Sequence, residues 1–142
     1  MKRRTFLATA TGVGAGALAG CVGSSLPASD YDVGMQHHSF QPADVEVSVG
    51  ETVVWGNSGS RGHTVTAYGD GIPDGATYFA SGDFESEEAA RNAYRNNPGS
   101  SAGGNIAPGE TYEHTFEVPG TYAYVCIPHE PQGMDGTVTV VE

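Results

Sequence analysis

Residues 120–140 read GTYAYVCIPHEPQGMDGTVTV. Two runs rich in β-branched and aromatic residues, Thr121 to Cys126 and Gly136 to Val141, flank a loop that holds Cys126, His129 and Met134. Pro119 and Gly120 set a tight turn ahead of the first run, and Val138 and Val140 alternate on one face of the second, the period of a half-buried strand. A ligand-bearing loop between two strands is the reading from which the fold follows. A thiol, an imidazole and a thioether in one loop suit a copper ion that cycles between two oxidation states. Thiolate and thioether favour Cu(I), and imidazole serves both Cu(I) and Cu(II). As structure alone, Cys126 is a small buried hydrophobe, His129 a surface residue and Met134 a gap filler. That reading has no reason to gather all three in one loop. Pro128 further limits how the loop bends by fixing its own φ.

Working outward, Val45, Val47 and Val49 alternate with Glu46 and Ser48, and Gly50-Glu51 turns that strand into Thr52–Trp55. His63–Thr66 and Thr111–Val118 are further strand-like runs. Many short strands, Gly/Pro turns and little helix predict an all-β, antiparallel sandwich. Between Tyr68 and Pro108 the pattern breaks. Ser86 reads as an N-cap, Glu87 and Glu88 occupy a first turn where the helix dipole favours anions, and Ala89–Tyr94 continues one short helix. Asn96–Gly104 then reads as a flexible polar loop. The missing fourth ligand is assigned to His63, which starts a strand after the loop Asn57–Gly62 and so reaches the pole occupied by residues 126–134.

Other candidates read as scaffold. His37 and His38 lie in MQHHSF, where adjacent strand residues point to opposite faces and do not share a metal. His114, Trp55, Phe116 and Tyr122 read as packing, and Met35, in the first strand, as core rather than as an alternative axial ligand.

The N-terminus reads as an address. Lys2-Arg3-Arg4 ahead of Thr5-Phe6-Leu7 is a twin-arginine opening, and the Ala/Gly-rich run Ala8–Ala19 is too short and glycine-rich for a good membrane span. Leu18-Ala19-Gly20-Cys21 resembles a lipoprotein cleavage box, with Cys21 the lipidation site. The expected organisation is a signal peptide over 1–21, a small-residue tether over 22–30 reaching about 30 Å, and one folded domain over 31–142. With Cys21 in the processing box and Cys126 in the loop, no disulfide is expected. From Val22 onward three arginines (Arg61, Arg91, Arg95) face 17 acidic residues, a formal charge of −14 with no lysine. Such a balance suits strong salt, which screens self-repulsion, and argues against nucleic acid, whose phosphates need basic groups.

The stretch at 120–140, with VSVGETVVWGN and GHTV upstream, resembles the blue copper proteins, or cupredoxins, and within them the plastocyanin-like halocyanins of salt-loving archaea. The similarity runs from about Val33 to the C-terminus and includes IPDGATYFASGDFESEEAARNAY, which resembles that family's helix-bearing insertion. The resemblance implies a Greek-key sandwich of eight or so strands, one type 1 copper ion and outer-sphere electron transfer. Its ligands carry over onto His63, Cys126, His129 and Met134, and its hydrogen bond to the cysteine sulfur onto the backbone N–H of Thr64. In plastocyanins an aromatic residue directly precedes the copper cysteine; here Val125 stands there, with Tyr124 one place earlier.

The expected role is therefore an electron carrier, not an enzyme, exported by the twin-arginine route and held by a lipid anchor at the outer face of the cell membrane. It would serve as a monomer, exchanging electrons transiently with membrane respiratory complexes. Ile127, Pro128 and Pro131 are expected to form an apolar patch around His129, the exit for electrons. Two other classes stay in view. A copper enzyme needs a second metal or an open coordination position, and a storage or delivery module favours a Met- or His-rich site, whereas only Met35 and Met134 follow the signal segment.

Overall fold

The computed structural model describes residues 26–142. The signal-like segment, Cys21 and the first part of the expected tether lie outside the described residues. The strands are β1 (Val33–Gln36), β2 (Ser39–Gln41), β3 (Asp44–Ser48), β4 (Thr52–Asn57), β5 (Thr66–Ala67), β6 (Thr111–Thr115), β7 (Gly120–Val125) and β8 (Asp135–Val141). They form two four-stranded sheets, ordered β2-β1-β4-β6 and β3-β8-β7-β5.

The all-β sandwich expected from the sequence is what the chain forms, with one correction. The sheets are mixed rather than antiparallel: β1 runs parallel to β4, and β3 parallel to β8. Alternation tells a strand which face to bury, but not which neighbour to take; here the chain crosses between sheets before it returns. Within that topology the alternation holds. Val45 pairs with Val138 and Val47 with Val140 in register, and Val47, Val138 and Val140 are buried.

The space between the sheets is filled by large rings. Trp55, wholly buried on β4, lies in register with Tyr112 on β6. It meets Tyr124 edge-on at 5.3 Å and Phe79 nearly parallel at 5.9 Å. Rings of this size supply much of the buried area of so small a domain, and edge-to-face pairs add to it. Met35, Phe116 and Tyr122 are core residues, as expected, and His114 stacks on Phe79 at 4.8 Å.

The long connection between β5 and β6 carries α1 (Glu87–Asn96). Ser86 caps it, its side chain accepting the N–H of Ala89 at 3.1 Å. Ala90 is its one buried residue, and the helix backbone at Ala93 and Tyr94 lies close against Gly103. The segment after it is not the loose loop expected. Ser100 accepts the N–H of Ala102, Asn105 N–H bonds back to Ser100, and Gly103 is buried. Of the expected tether, Leu26 and Ser29 are partly buried, while Pro27, Ala28 and Asp30 are exposed. Leu26 and the Tyr31 ring lie over Gly56, where a Cβ would come within 2.7 Å of both.

Gly136 is required by close approach. It faces Tyr124 across β7 and β8, and a Cβ there would stand 2.7 Å from the carbonyl of Ala43 and 2.8 Å from the Tyr124 hydroxyl. Gly136→Ala is expected to destabilise the metal-free protein by about 1–3 kcal/mol. The measurement is urea unfolding, as a lowered midpoint with an unchanged slope.

Candidate metal centre

Two segments meet at one pole of the sandwich. The first carries His63, which sits just ahead of β5 rather than at the start of the expected His63–Thr66 strand. Its backbone forms a two-way bridge with Ile106, His63 N–H to Ile106 O at 3.2 Å and Ile106 N–H to His63 O at 2.7 Å. The loop before it is organised by Asn57 at the end of β4. The buried Asn57 amide donates to the carbonyls of Arg61 (2.6 Å) and Ile106 (2.9 Å), and its Oδ1 accepts the N–H of Gly59 (3.0 Å). Asn57 thus fixes the chain on both sides of His63. Sequence reasoning missed that role; the available signal was a polar residue closing an apolar strand ahead of a Ser/Gly loop.

The second segment begins where β7 ends. Ile127–Gln132 winds into a short 3-10 helix and Gly133 ends it with φ of +83°, a left-handed conformation that suits glycine. The N–H of Met134 bonds to the His129 carbonyl at 3.3 Å, and that of Cys126 to the Met134 carbonyl at 3.0 Å. The second bond closes the base of the loop, so its two sulfur residues are tied through their backbones.

Cys126, His63 and Met134 are fully buried, and His129 is half-buried at the surface. Cys126 Sγ lies 3.6 Å from His63 Nδ1 and 3.4 Å from His129 Nδ1. Among the described residues, these three are the group of His, Cys, Asp and Glu side chains able to hold a metal, their ligand atoms all within 4.8 Å of one another. An ion about 2.3 Å from a thiolate and about 2.0 Å from each imidazole separates neighbouring donors by about 3.5 Å. The donor spacing therefore fits one ion, and a set of two imidazoles, one thiolate and a buried thioether is chemically a copper set.

The surroundings reinforce this. Thr64 N–H donates to Cys126 Sγ at 3.4 Å, the donor expected there, and Thr64 Oγ1 accepts the N–H of Ile127 at 2.8 Å. Burial pushes the Cys126 thiol up to about 11, against the smaller opposing effect of the Thr64 N–H. Burial, and then the neighbouring His129 imidazole, hold His63 down at about 4. Burial lowers His129 as well. Both imidazoles are thus neutral at pH 7 and free to offer a lone pair. Next to His129, Glu130 is held below the usual carboxylate range, chiefly by its hydrogen bond from Arg91.

His37 and His38 require a correction. They occupy the turn between β1 and β2, His37 with φ of +40°, and are not strand residues on opposite faces. The His38 ring lies 5.0 Å from the His129 ring, nearly as close as the His63 ring at 4.8 Å. Periodicity reasoning could not see a neighbour brought in by a turn.

Two neutral imidazoles and a thiol, held by crossing loops at one end of a two-sheet sandwich, define a small β-protein built to hold copper. Residues 28–141 match the copper-binding proteins of the plastocyanin/azurin family, and the chain belongs to that family. A plastocyanin from Scenedesmus fuscus is 36% identical over 101 residues, covering 71% of this chain and 85% of its own length. The chloroplast plastocyanin of Pisum sativum is 38% identical over 102 residues, covering 72% of this chain and 51% of its own. The chain thus spans about half the length of the chloroplast plastocyanins it matches. Among solved structures, amicyanin from Paracoccus versutus aligns over 81% of this chain and 84% of its own, with 28% identity and a TM-score of 0.53. The cupredoxin-like fold and the copper cofactor expected from the sequence are both borne out.

Because His63 is held at about 4 while the unfolded chain titrates near 6.5, the unfolded chain takes up the proton first as pH falls. The stabilising contribution of neutral His63 is complete above pH 6.5 and is lost progressively down to about 4. Urea midpoints of the metal-free protein are expected to drop more steeply over that window than those of His63→Gln. Parallel pH profiles would show that the site does not bury a neutral imidazole.

Proposed function

We propose that the protein is a small type 1 copper electron carrier of the halocyanin kind, with His63, Cys126, His129 and Met134 as its ligands. The observation that carries this is the placement of Cys126 Sγ within 3.6 Å of two imidazole Nδ1 atoms on a loop that Met134 closes. Copper, when bound, supplies the one-electron Cu(II)/Cu(I) couple. Everything else is the work of the chain. The two ligand segments are cross-braced by Thr64 and by the backbone bonds of the loop, so the donors have little room to rearrange between oxidation states. The Thr64 N–H stabilises the thiolate and so tunes the potential. His129, the half-buried ligand, is the way out for electrons. Tyr124 turns inward against Phe40 and Trp55, and Val125 is buried. No ring therefore takes the position next to the thiolate that an aromatic holds in plastocyanins.

Four protein donors around one ion leave no position for a substrate, which supports a carrier rather than an enzyme. The twin-arginine opening and the Cys21 box support export of the folded protein and a lipid anchor at the outer face of the membrane. The acidic chain, without lysine beyond residue 21, supports a strongly saline milieu. In that setting the partners are transient redox proteins, among them membrane respiratory complexes, met by a monomer.

Titration with Cu(II) is expected to raise an intense blue thiolate-to-copper band that saturates at one copper per chain and is lost in Cys126→Ser. A weak band, or one that survives the substitution, would sink the carrier and favour metal storage. Because the Cys126 thiol stays protonated at neutral pH in the metal-free protein, uptake should also release about one proton per copper and tighten as pH rises. Release measured in weakly buffered solution should disappear in Cys126→Ser.

A further inference from the structure

Helix α1 reaches the metal loop through the Arg91 side chain. Arg91 Nη1 donates to Glu130 Oε1 at 2.8 Å and Nη2 to Glu130 Oε2 at 3.2 Å, a two-point pair. One turn earlier on the helix, Glu87 Oε2 accepts from Arg91 Nε at 2.8 Å, and its Oε1 accepts the N–H of Gly69 at 2.8 Å. The Tyr68 hydroxyl donates to Glu130 Oε2 at 3.1 Å. Three segments therefore meet on two carboxylates: the helix, the Tyr68-Gly69 corner that follows β5, and the loop residue directly after His129.

An ordinary surface ion pair contributes little, and salt weakens it further. This one differs in geometry and in place. A guanidinium held at two points fixes orientation as well as distance. Glu130 follows His129 directly, and its carbonyl accepts the N–H of Gly133 at 2.9 Å, the bond that turns the chain toward Met134. One of only three cations beyond residue 21 is committed to this spot. A bare carboxylate beside the site would favour Cu(II) over Cu(I) and lower the potential; a bound guanidinium offsets that charge.

We propose that Arg91 and Glu130, steadied by Glu87 and Tyr68, form the positioning clamp of the copper loop, orienting His129 and cancelling the carboxylate charge beside it. The inference rests on the proposed copper ligation. Both are separable in one experiment on the full chain, comparing Arg91→Gln, Glu130→Gln, the double variant, and Arg95→Gln as a control on the same helix. The reduction potential is expected to fall in Arg91→Gln, rise in Glu130→Gln, return toward the parent value in the double variant, and stay put in Arg95→Gln. Copper loss to a chelator should quicken about tenfold in each single variant, the scale of lost outer contacts to metal ligands. In the copper-free chain, the amides of Gly133 and Met134 should exchange faster with solvent in Arg91→Gln and Glu130→Gln, but not in Arg95→Gln. Potentials that move in the same direction in both variants, or not at all, would overturn charge cancellation. Unchanged loop exchange, even with a lowered melting temperature, would overturn positioning and leave a plain strut. A parent chain that takes up no copper would sink the carrier reading and the charge cancellation with it, while the exchange data would still decide whether the clamp orders the loop.

Discussion

Thr64 makes the two hydrogen bonds on which the site depends. Its N–H reaches the sulfur of Cys126, 62 residues away, and its hydroxyl accepts the N–H of Ile127. Burial opposes both the thiolate and the imidazolium, so the metal-free protein holds a neutral thiol beside neutral imidazoles, polar groups that cost free energy to bury. The arrangement persists because the backbones that carry it are locked by bonds of their own: Thr64 across the two segments, Ile106 beside His63, and Met134 back to Cys126. The ligand atoms are thus placed by main chain and core before any ion arrives. That is what a site needs if its donors are to stay put while the charge of the ion changes.

The core and the site share residues. Met134 and Cys126 belong to the same buried cluster as Trp55, Tyr124 and Phe79, so the metal pole is a corner of the hydrophobic interior rather than a loop hung outside it. The rigidity of a close-packed interior is thereby passed to two of the ligands. His129 is the exception, half-buried and flanked by His38 and His63. Its position depends on the polar contacts of the loop, and the two-point ion pair of Arg91 falls on Glu130, the residue beside it.

Much of the centre was legible because its chemistry is local. Cys126, His129 and Met134 lie within nine residues of one another, and no packing consideration assembles a thiol, an imidazole and a thioether there. His63 was legible as a histidine between a Ser/Gly loop and a β-branched run, and Ser86 as a cap, because both signals span a few residues. The parallel pairing of β1 with β4 was not legible, since alternation is the same for either neighbour. Asn57 and His38 were missed for the same reason. Their roles consist of contacts with Ile106 and His129, which no local pattern records.

The sequence by itself therefore determined the donor set, the strand periodicity and the acidic character of the chain, because each is a property of residue type and short-range order. Tertiary structure alone decided that two imidazoles converge on one sulfur, that Tyr124 faces the core, and that a helix from the β5–β6 connection is anchored to the loop through Arg91. Those are contacts between segments tens of residues apart. They exist only once burial of the aromatic core has brought the two sheets together and left each backbone one geometry in which its polar groups are satisfied.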